Sequence, residues 1–487
     1  MRLIGLLLIF TLLGACGRDA EKTVLEFWAM GREGEVVQSL MPEFERRNPD
    51  IRVKVQQIPW SAAHEKLLTA YAGDAMPDVF QLGNTWIPEF AVLNAVDSLD
   101  DRLTAPQRGD YFEGILETNK IDGRLYGLPW YVDTRLLFYR TDILAKAGFS
   151  APPKTWKEWL TAMAAITALP GGDHYALLLP MNEWQVPVIL GLQLGAELLR
   201  DGARFGNFRS DTFRQAFRFY LDIFRRGYAP AVSEAQIANL YQEFASGYFA
   251  MYITGPWNIG EFEHRLPKTV QDKWATAPLP APDLSTSCPP PCSEKAKVST
   301  VESSQSIVGR DKPVLSPVEG AAAVPGKDFA GNAKPVLSPA EGLIPAYTLP
   351  SSDIFYPGLS LAGGASLAIS SSSGRKAQAW KLIEFLSEPE QQLAFYRLTG
   401  DLPSRRSAWQ HPDLATATRA QAFKTQLERV VSTPKIPEWE RIASKIAHYA
   451  EKAVRGELTE DQALTALNED VDHILEKRRW LLRKRAP

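Results

Sequence analysis

Thirteen tryptophans stand in this chain of 487 residues. Six of them, Trp28, Trp86, Trp130, Trp184, Trp257 and Trp439, fall at the ends of predicted strands or in loops. An indole at such a place offers a flat apolar face, and hydrogen-bonding groups around it would complete a site for a ring with a C–H face and a rim of hydroxyls, as in a pyranose. Glu33, Asn84, Thr85, Asp133 and Arg405 are the candidates for the polar rim. Gly255, Gly363 and Gly364 add backbone groups that a ligand can approach closely. Each tryptophan can equally be core filling, the assignment given to Trp156, Trp159 and Trp380 on predicted helix faces. Arg405 has two readings, a fork for an anionic ligand or a surface ion pair. Asp133 also has two, a partner for hydroxyls or an anchor of a hinge.

Other chemistries find less support. Glu33 and Asp133 could serve as the two carboxylates of a glycan hydrolase, but with 57 acidic residues in the chain such a choice has no special claim. The sequence holds neither a Gly-x-Ser-x-Gly elbow nor a P-loop. Cys288 and Cys292, in Ser-Cys-Pro-Pro-Pro-Cys-Ser, lack the further ligands a zinc site needs, and the prolines between them can allow or forbid a local disulfide. No metal and no cofactor is expected. A net charge of −3 gives no reason to expect nucleic acid.

At the start, Arg2 precedes an apolar run from Leu3 to Leu13, followed by Leu13-Gly14-Ala15-Cys16. The run is short of the roughly 20 residues needed to cross a bilayer and has the form of an export signal. The four residues resemble a bacterial lipobox, which implies lipid attachment at Cys16, a tether over 16–22 and a place in the periplasm or on the outer face of the cell membrane. At the other end, Arg478 to Arg485 reads as a basic solvated tail, with contact to anionic lipid as the alternative.

The elements that must position the candidate residues follow from periodicity. Val24–Trp28, Ile51–Val55 and Asp78–Leu82 read as strands, separated by helix-like stretches at Val36–Phe44 and Trp60–Tyr71. This βαβαβ order predicts a mainly parallel sheet flanked by helices, with ligands beyond the carboxyl ends of its strands. Leu136–Arg140, Ala250–Thr254 and Ser366–Ile369 are further strands. Thr155-x-x-Glu158 is a capping box, and Phe213, Phe217, Tyr220, Leu221 and Phe224 line one helix face as core. The chain's length favours two lobes. The first is expected over 23–133 with about 258–282 and 353–370, the second over 134–257 and 371–487. Residues 283–352, rich in Pro, Ser and Gly, read as a disordered insertion; they carry the repeat Lys312-Pro-Val-Leu-Ser-Pro-Val-Glu-Gly320 and Lys334-Pro-Val-Leu-Ser-Pro-Ala-Glu-Gly342.

Several landmarks in order carry a family likeness: Phe27-Trp28, Asn48-Pro49-Asp50-Ile51, Met76-Pro77-Asp78-Val79, Leu128-Pro129-Trp130, Leu137-Phe138-Tyr139-Arg140, Gly247 to Met251 running into Gly255-Pro256-Trp257, Gly363-Gly364, and Pro437-Glu438-Trp439. From Thr23 to about Ile474, leaving out the insertion, the chain resembles the extracellular sugar-type solute-binding proteins of ABC importers, the group of maltose-binding protein. The resemblance implies an α/β, two-lobe periplasmic-binding-protein fold (type II), with a cleft and hinge between the lobes. It implies a monomer that carries a sugar to a permease without catalysis. Glycerol phosphate, a compatible solute or a peptide are the alternative ligands on the same fold.

Overall fold

In the computed structural model, residues 22–171, 174–237, 239–283 and 358–485 are described. The signal run, Cys16, Cys288, Cys292 and the repeat lie outside them, as does the expected insertion apart from Asp283.

The chain opens with strand β1 (Thr23–Met30), which alternates between two cores: Leu25, Phe27 and Ala29 face one side, Trp28 and Met30 the other. Helix α1 (Gly31–Val36) follows directly. The apolar face expected over Val36–Phe44 is not one helix; a 3₁₀ turn at Val37–Leu40 separates α1 from a new helix at Met41–Arg47. Pro42 sits in the first turn of that helix, where its missing N–H costs nothing, while in mid-helix it would break the ladder. Strand β2 (Ile51–Ile58), helix α2 (Trp60–Ala72) and strand β3 (Val79–Gly83) complete the expected βαβαβ unit, with β2 and β3 both parallel to β1.

Strand β4 (Leu128–Asp133) ends the first passage through this sheet, and β5 (Leu136–Arg140) begins a second one. Between them lie only Thr134 and Arg135. The second sheet continues with helix α3 (Trp156–Thr167), strand β6 (Tyr175–Leu178), helix α4 (Asp211–Arg225), strand β7 (Phe249–Thr254), helix α5 (Trp257–Arg265) and strand β8 (Trp274–Ala277). Its order is β8-β5-β7-β6. Thr155 caps α3 by accepting from the Glu158 backbone, but the Glu158 carboxylate reaches back to the Lys154 N–H and not to its own capping residue. Thr155 is instead bridged to Ala281. The aromatic face of α4 is core, with Phe213, Phe217, Tyr220 and Leu221 buried. Trp156, Trp159 and Trp380 are buried as well.

After residue 358 the chain returns to the first sheet as β9 (Gly363–Ile369), followed by helices α6 (Lys376–Leu386) and α7 (Pro389–Thr399) and a short β10 (Leu402–Pro403). The first sheet has the order β10-β4-β9-β3-β1-β2. Because β9 runs antiparallel to both β3 and β4, and β5 antiparallel to both β7 and β8, the sheets are mixed and not mainly parallel. Helices α8 (Trp439–Val454), α9 (Glu460–Ile474) and α10 (Glu476–Arg485) close the chain.

The expected lobe boundaries need correction at three places. Residues 258–282 go with the second sheet, since β8 pairs along β5 and Trp274 packs on Phe138. Of the expected first-lobe span 353–370, the described residues 358–370 divide: the Leu359 carbonyl accepts from Gln193 on the second side, whereas β9 belongs to the first. Helices α6 and α7 pack Phe385, Leu386 and Phe395 against Leu25 and Phe27, so 371–405 stays with the first sheet. A hydrophobic helix face docks on whichever sheet is bare, and periodicity does not say which.

Gln426 ties the two ends of the undescribed segment together: its Oε1 accepts from the Leu279 N–H at 3.2 Å, and its Nε2 donates to the Gly358 carbonyl. Replacing residues 284–357 by a short Gly/Ser linker is therefore expected to leave the melting temperature nearly unchanged, because closure entropy depends only weakly on loop length. A large drop in a thermal melt would show that the segment contributes packing.

Candidate functional site

The carboxyl ends of β1, β3 and β4 and the start of β9 share one edge of the first sheet; the ends of β6 and β7 and the start of β5 share one edge of the second. The two-residue link Thr134-Arg135 joins these edges. A second crossing lies beside it: Ser360 Oγ accepts from the Arg135 N–H at 3.2 Å and donates to the Arg135 carbonyl at 3.1 Å. Gly364, at φ +113°, makes the return possible, because a Cβ there would run into the Tyr131 carbonyl oxygen.

Glu33, in the first turn of α1, is positioned by a relay through the sheet. Its Oε1 accepts from the Tyr131 hydroxyl at 2.8 Å, that hydroxyl accepts from Gln81 Nε2 at 3.1 Å, and Gln81 Oε1 accepts from the Met30 N–H at 2.7 Å. The Trp60 indole N–H also donates to Glu33, at 3.3 Å. Asp401, buried just before β10, faces the same group. Burial, and then the charge of Glu33, hold the Asp401 carboxyl well above its usual range, and burial raises Glu33 as well. Asp133 is raised by burial despite the Arg135 guanidinium, which meets its carboxylate at 3.1 Å. That guanidinium also lies 4.9 Å over the Trp257 ring. Trp257 can fold back toward its own turn only because residue 255 is glycine; a Cβ on Gly255 would enter the indole.

A second group lies along the segment after β3. Asn84 Nδ2 donates to the Gly363 carbonyl at 3.1 Å, and Asn84 Oδ1 accepts from Ser366 Oγ at 2.8 Å, so this expected ligand group spends its polar atoms on β9. Thr85 and Trp86 lie beside Glu440, which enters from the first turn of α8 on the second side; burial raises its carboxyl. Trp439 beside it is fully buried and meets Trp184 edge-on at 5.5 Å.

The structure therefore gathers Glu33, Thr85, Asp133, Trp184, Gly255, Trp257, Gly363 and Gly364 around the facing edges, and corrects others. Trp130 is core, packed between Phe27 and Phe395 at 1% exposure. Trp86 is walled in by Trp60 and His64. Trp28 packs with the Phe80 cluster under the Lys66 ammonium, at 4.9 Å. Arg405 is an ion-pair residue, its Nε 2.7 Å from Asp110 Oδ2. Sequence reasoning missed Tyr131, Arg135, Asp401, Glu440 and the half-exposed Trp60. Trp60 carries a usable signal: it stands two residues past the carboxyl end of β2, and a place at a strand end is the criterion that selects Trp28 at the end of the predicted strand Val24–Trp28.

The family model for bacterial extracellular solute-binding proteins matches residues 30–299, and a second model of the same description matches 317–423. The chain belongs to this family. Among solved structures, the solute-binding protein most useful for comparison is the sugar-binding protein MalE from Xanthomonas citri. It is 43% identical, with a TM-score of 0.76 over 95% of this chain and 99% of that one. The GacH receptor of Streptomyces glaucescens, with a TM-score of 0.70 over 93% and 99% of the two chains, is 20% identical and shares the fold. The diacetylchitobiose binding protein DasA of Streptomyces coelicolor is 27% identical over 52% of this chain and 63% of its own. The two sheets are thus the two lobes of the solute-binding fold, and their facing edges are the walls of its cleft.

The raised carboxyls carry a pH signature with a definite sign. Glu33 and Asp401 keep protons in the folded state that the unfolded chain has already released, so stability falls as pH rises above the ordinary carboxylate range of about 4. Each retained proton steepens that fall by up to roughly 1.4 kcal/mol per pH unit. Asp401→Asn should flatten the dependence and melt higher than the parent near neutral pH; an unchanged slope in melts from about pH 5 to pH 8 would refute it.

Proposed function

We propose that this protein captures a sugar or oligosaccharide in the cleft between its lobes and delivers it to the transmembrane subunits of an ABC importer. The observation that carries the reading is that acids on one edge face indoles on the other: Glu33 and Asp401 on one lobe, Asp133 and Arg135 at the crossing, and Trp257 and Trp184 on the other lobe. Carboxylates accept hydrogen bonds from hydroxyl pairs, and indoles cover the apolar face of a pyranose. Near-full-length likeness to a sugar-binding protein points the same way.

The mechanism is a population shift. A ligand that touches both edges binds the closed arrangement better than the open one and draws the hinge at Asp133–Leu136 toward closure. No bond is made or broken by the protein itself. The anionic alternatives lose their candidate, because Arg405 is committed to Asp110 and Arg135 to Asp133, while the cluster itself is acidic.

A thermal-shift series against mono- and oligosaccharides, glycerol phosphate and small osmolytes tests the ligand class, since a ligand of the folded state raises stability by RT ln(1 + [L]/Kd). A saccharide is expected to raise the melting temperature, and Trp257→Ala to remove the rise. A rise with glycerol phosphate and none with any saccharide would overturn the reading.

Family membership implies export, and we further propose that Cys16 holds the protein at the membrane by lipid. Cys16→Ser should move the protein from the membrane fraction to the soluble one; full retention would argue against the anchor.

A further inference from the structure

The last helix, α10, turns the wrong residues outward for a helix bathed in water. Lys477, Trp480, Leu481 and Lys484 follow the i, i+3, i+4, i+7 spacing of one face, and all four are exposed, Trp480 at 54% and Leu481 at 41%. The inward side is held by Arg478, 3.7 Å from Glu438, and by Arg479, which donates to the Arg204 carbonyl and lies 4.8 Å over Phe205. The helix is therefore docked with its apolar pair pointing away from the protein. Among the described residues, large exposed hydrophobics are few and otherwise scattered singly, so two adjacent ones on a single turn stand apart.

Charge says what covers them. Residues 476–485 hold six basic side chains against the single acid Glu476, in a chain whose net charge is −3. Lys477, Arg483 and Lys484 make no ion pair among the described residues, while Lys484 instead sits 4.0 Å from the Trp480 ring. A basic helix with an indole and a leucine between lysines one turn to either side matches a bilayer interface, where the apolar pair enters the headgroup boundary and the ammonium groups meet lipid phosphates.

We propose that the outward face of α10 docks on an anionic phospholipid surface, as a membrane contact separate from the N-terminal anchor. Glu438, which holds Arg478, immediately precedes the buried Trp439 at the start of α8. Docking of α10 would thus hold the second lobe, beside the helix end that enters the cleft, against the membrane.

Vesicle flotation tests this with the full chain carrying Cys16→Ser, so that no lipid is attached. The probes are vesicles of equal parts phosphatidylglycerol and phosphatidylcholine, and vesicles of phosphatidylcholine alone. The parent should float with the anionic vesicles in excess over the neutral ones, and salt should reduce that excess. Each cation near the surface contributes about fivefold to partitioning, so Lys477→Glu with Arg483→Glu and Lys484→Glu should reduce it by at least about a hundredfold. Trp480→Ala with Leu481→Ala should weaken it as well. An unaltered melting temperature in the variants confirms that the fold is kept. Equal flotation with both vesicle types, or a charge-reversed chain that floats like the parent, overturns the proposal; an acidic protein partner for this face would give that same absence of anionic preference.

Discussion

The Asp133–Arg135 pair stands where the chain passes from one lobe to the other, and much of the site is arranged around it. Removing one member of such a buried pair costs about 3–5 kcal/mol, mostly because the other charge is left without a partner. Here the pair is also braced from every side. Ser360 binds the Arg135 main chain in both directions, the Trp257 ring lies under the guanidinium, and Gly363 sits close against Asp133. A hinge has to bend without losing its register. Placing a fixed ion pair on one of two adjacent, oppositely directed crossings lets the lobes turn about a point whose polar groups stay satisfied.

The same crossing explains why the cleft holds so many costly groups. Asp401 is buried and Glu33 and Asp133 are half-buried, and desolvation raises each of the three carboxyls. A core built for stability alone would place apolar side chains there. On the proposed reading, carboxyls kept at a site where hydroxyls would satisfy them make the unliganded closed state the expensive one, and a binding protein needs that asymmetry to stay open until its ligand arrives.

The regular elements were legible because period and punctuation are local. Leu136–Arg140 was read to the residue, and β1, β2, β3, β7 and β9 within a few residues of their ends. The site was legible only in part. A β-bulge at Trp130 breaks the alternation along β4, so that Trp130 and Tyr131 both pack on Phe395, and no ranking of residues by type reveals this. Arg405 and Asp110 are 295 residues apart, and Glu440 reaches Thr85 from a different lobe; no local pattern signals such pairings. Lobe membership failed for the same reason, since α6 and α7 look alike whichever sheet they cover.

Glu440 shows how closure and recognition share atoms. Its carboxylate leaves α8 in the second lobe and lies against Thr85 and Trp86 in the first, beside the fully buried Trp439. Burial raises the carboxyl, so this contact between lobes is itself weakened by desolvation. A contact that were strongly favourable alone would close the cleft empty and tax every ligand by the population of the open form. A marginal one leaves the decision to the ligand, which the proposed site would hold between Glu33 and Trp257, and it brings the lobes together in the register that the hinge pair at Asp133 and Arg135 already fixes.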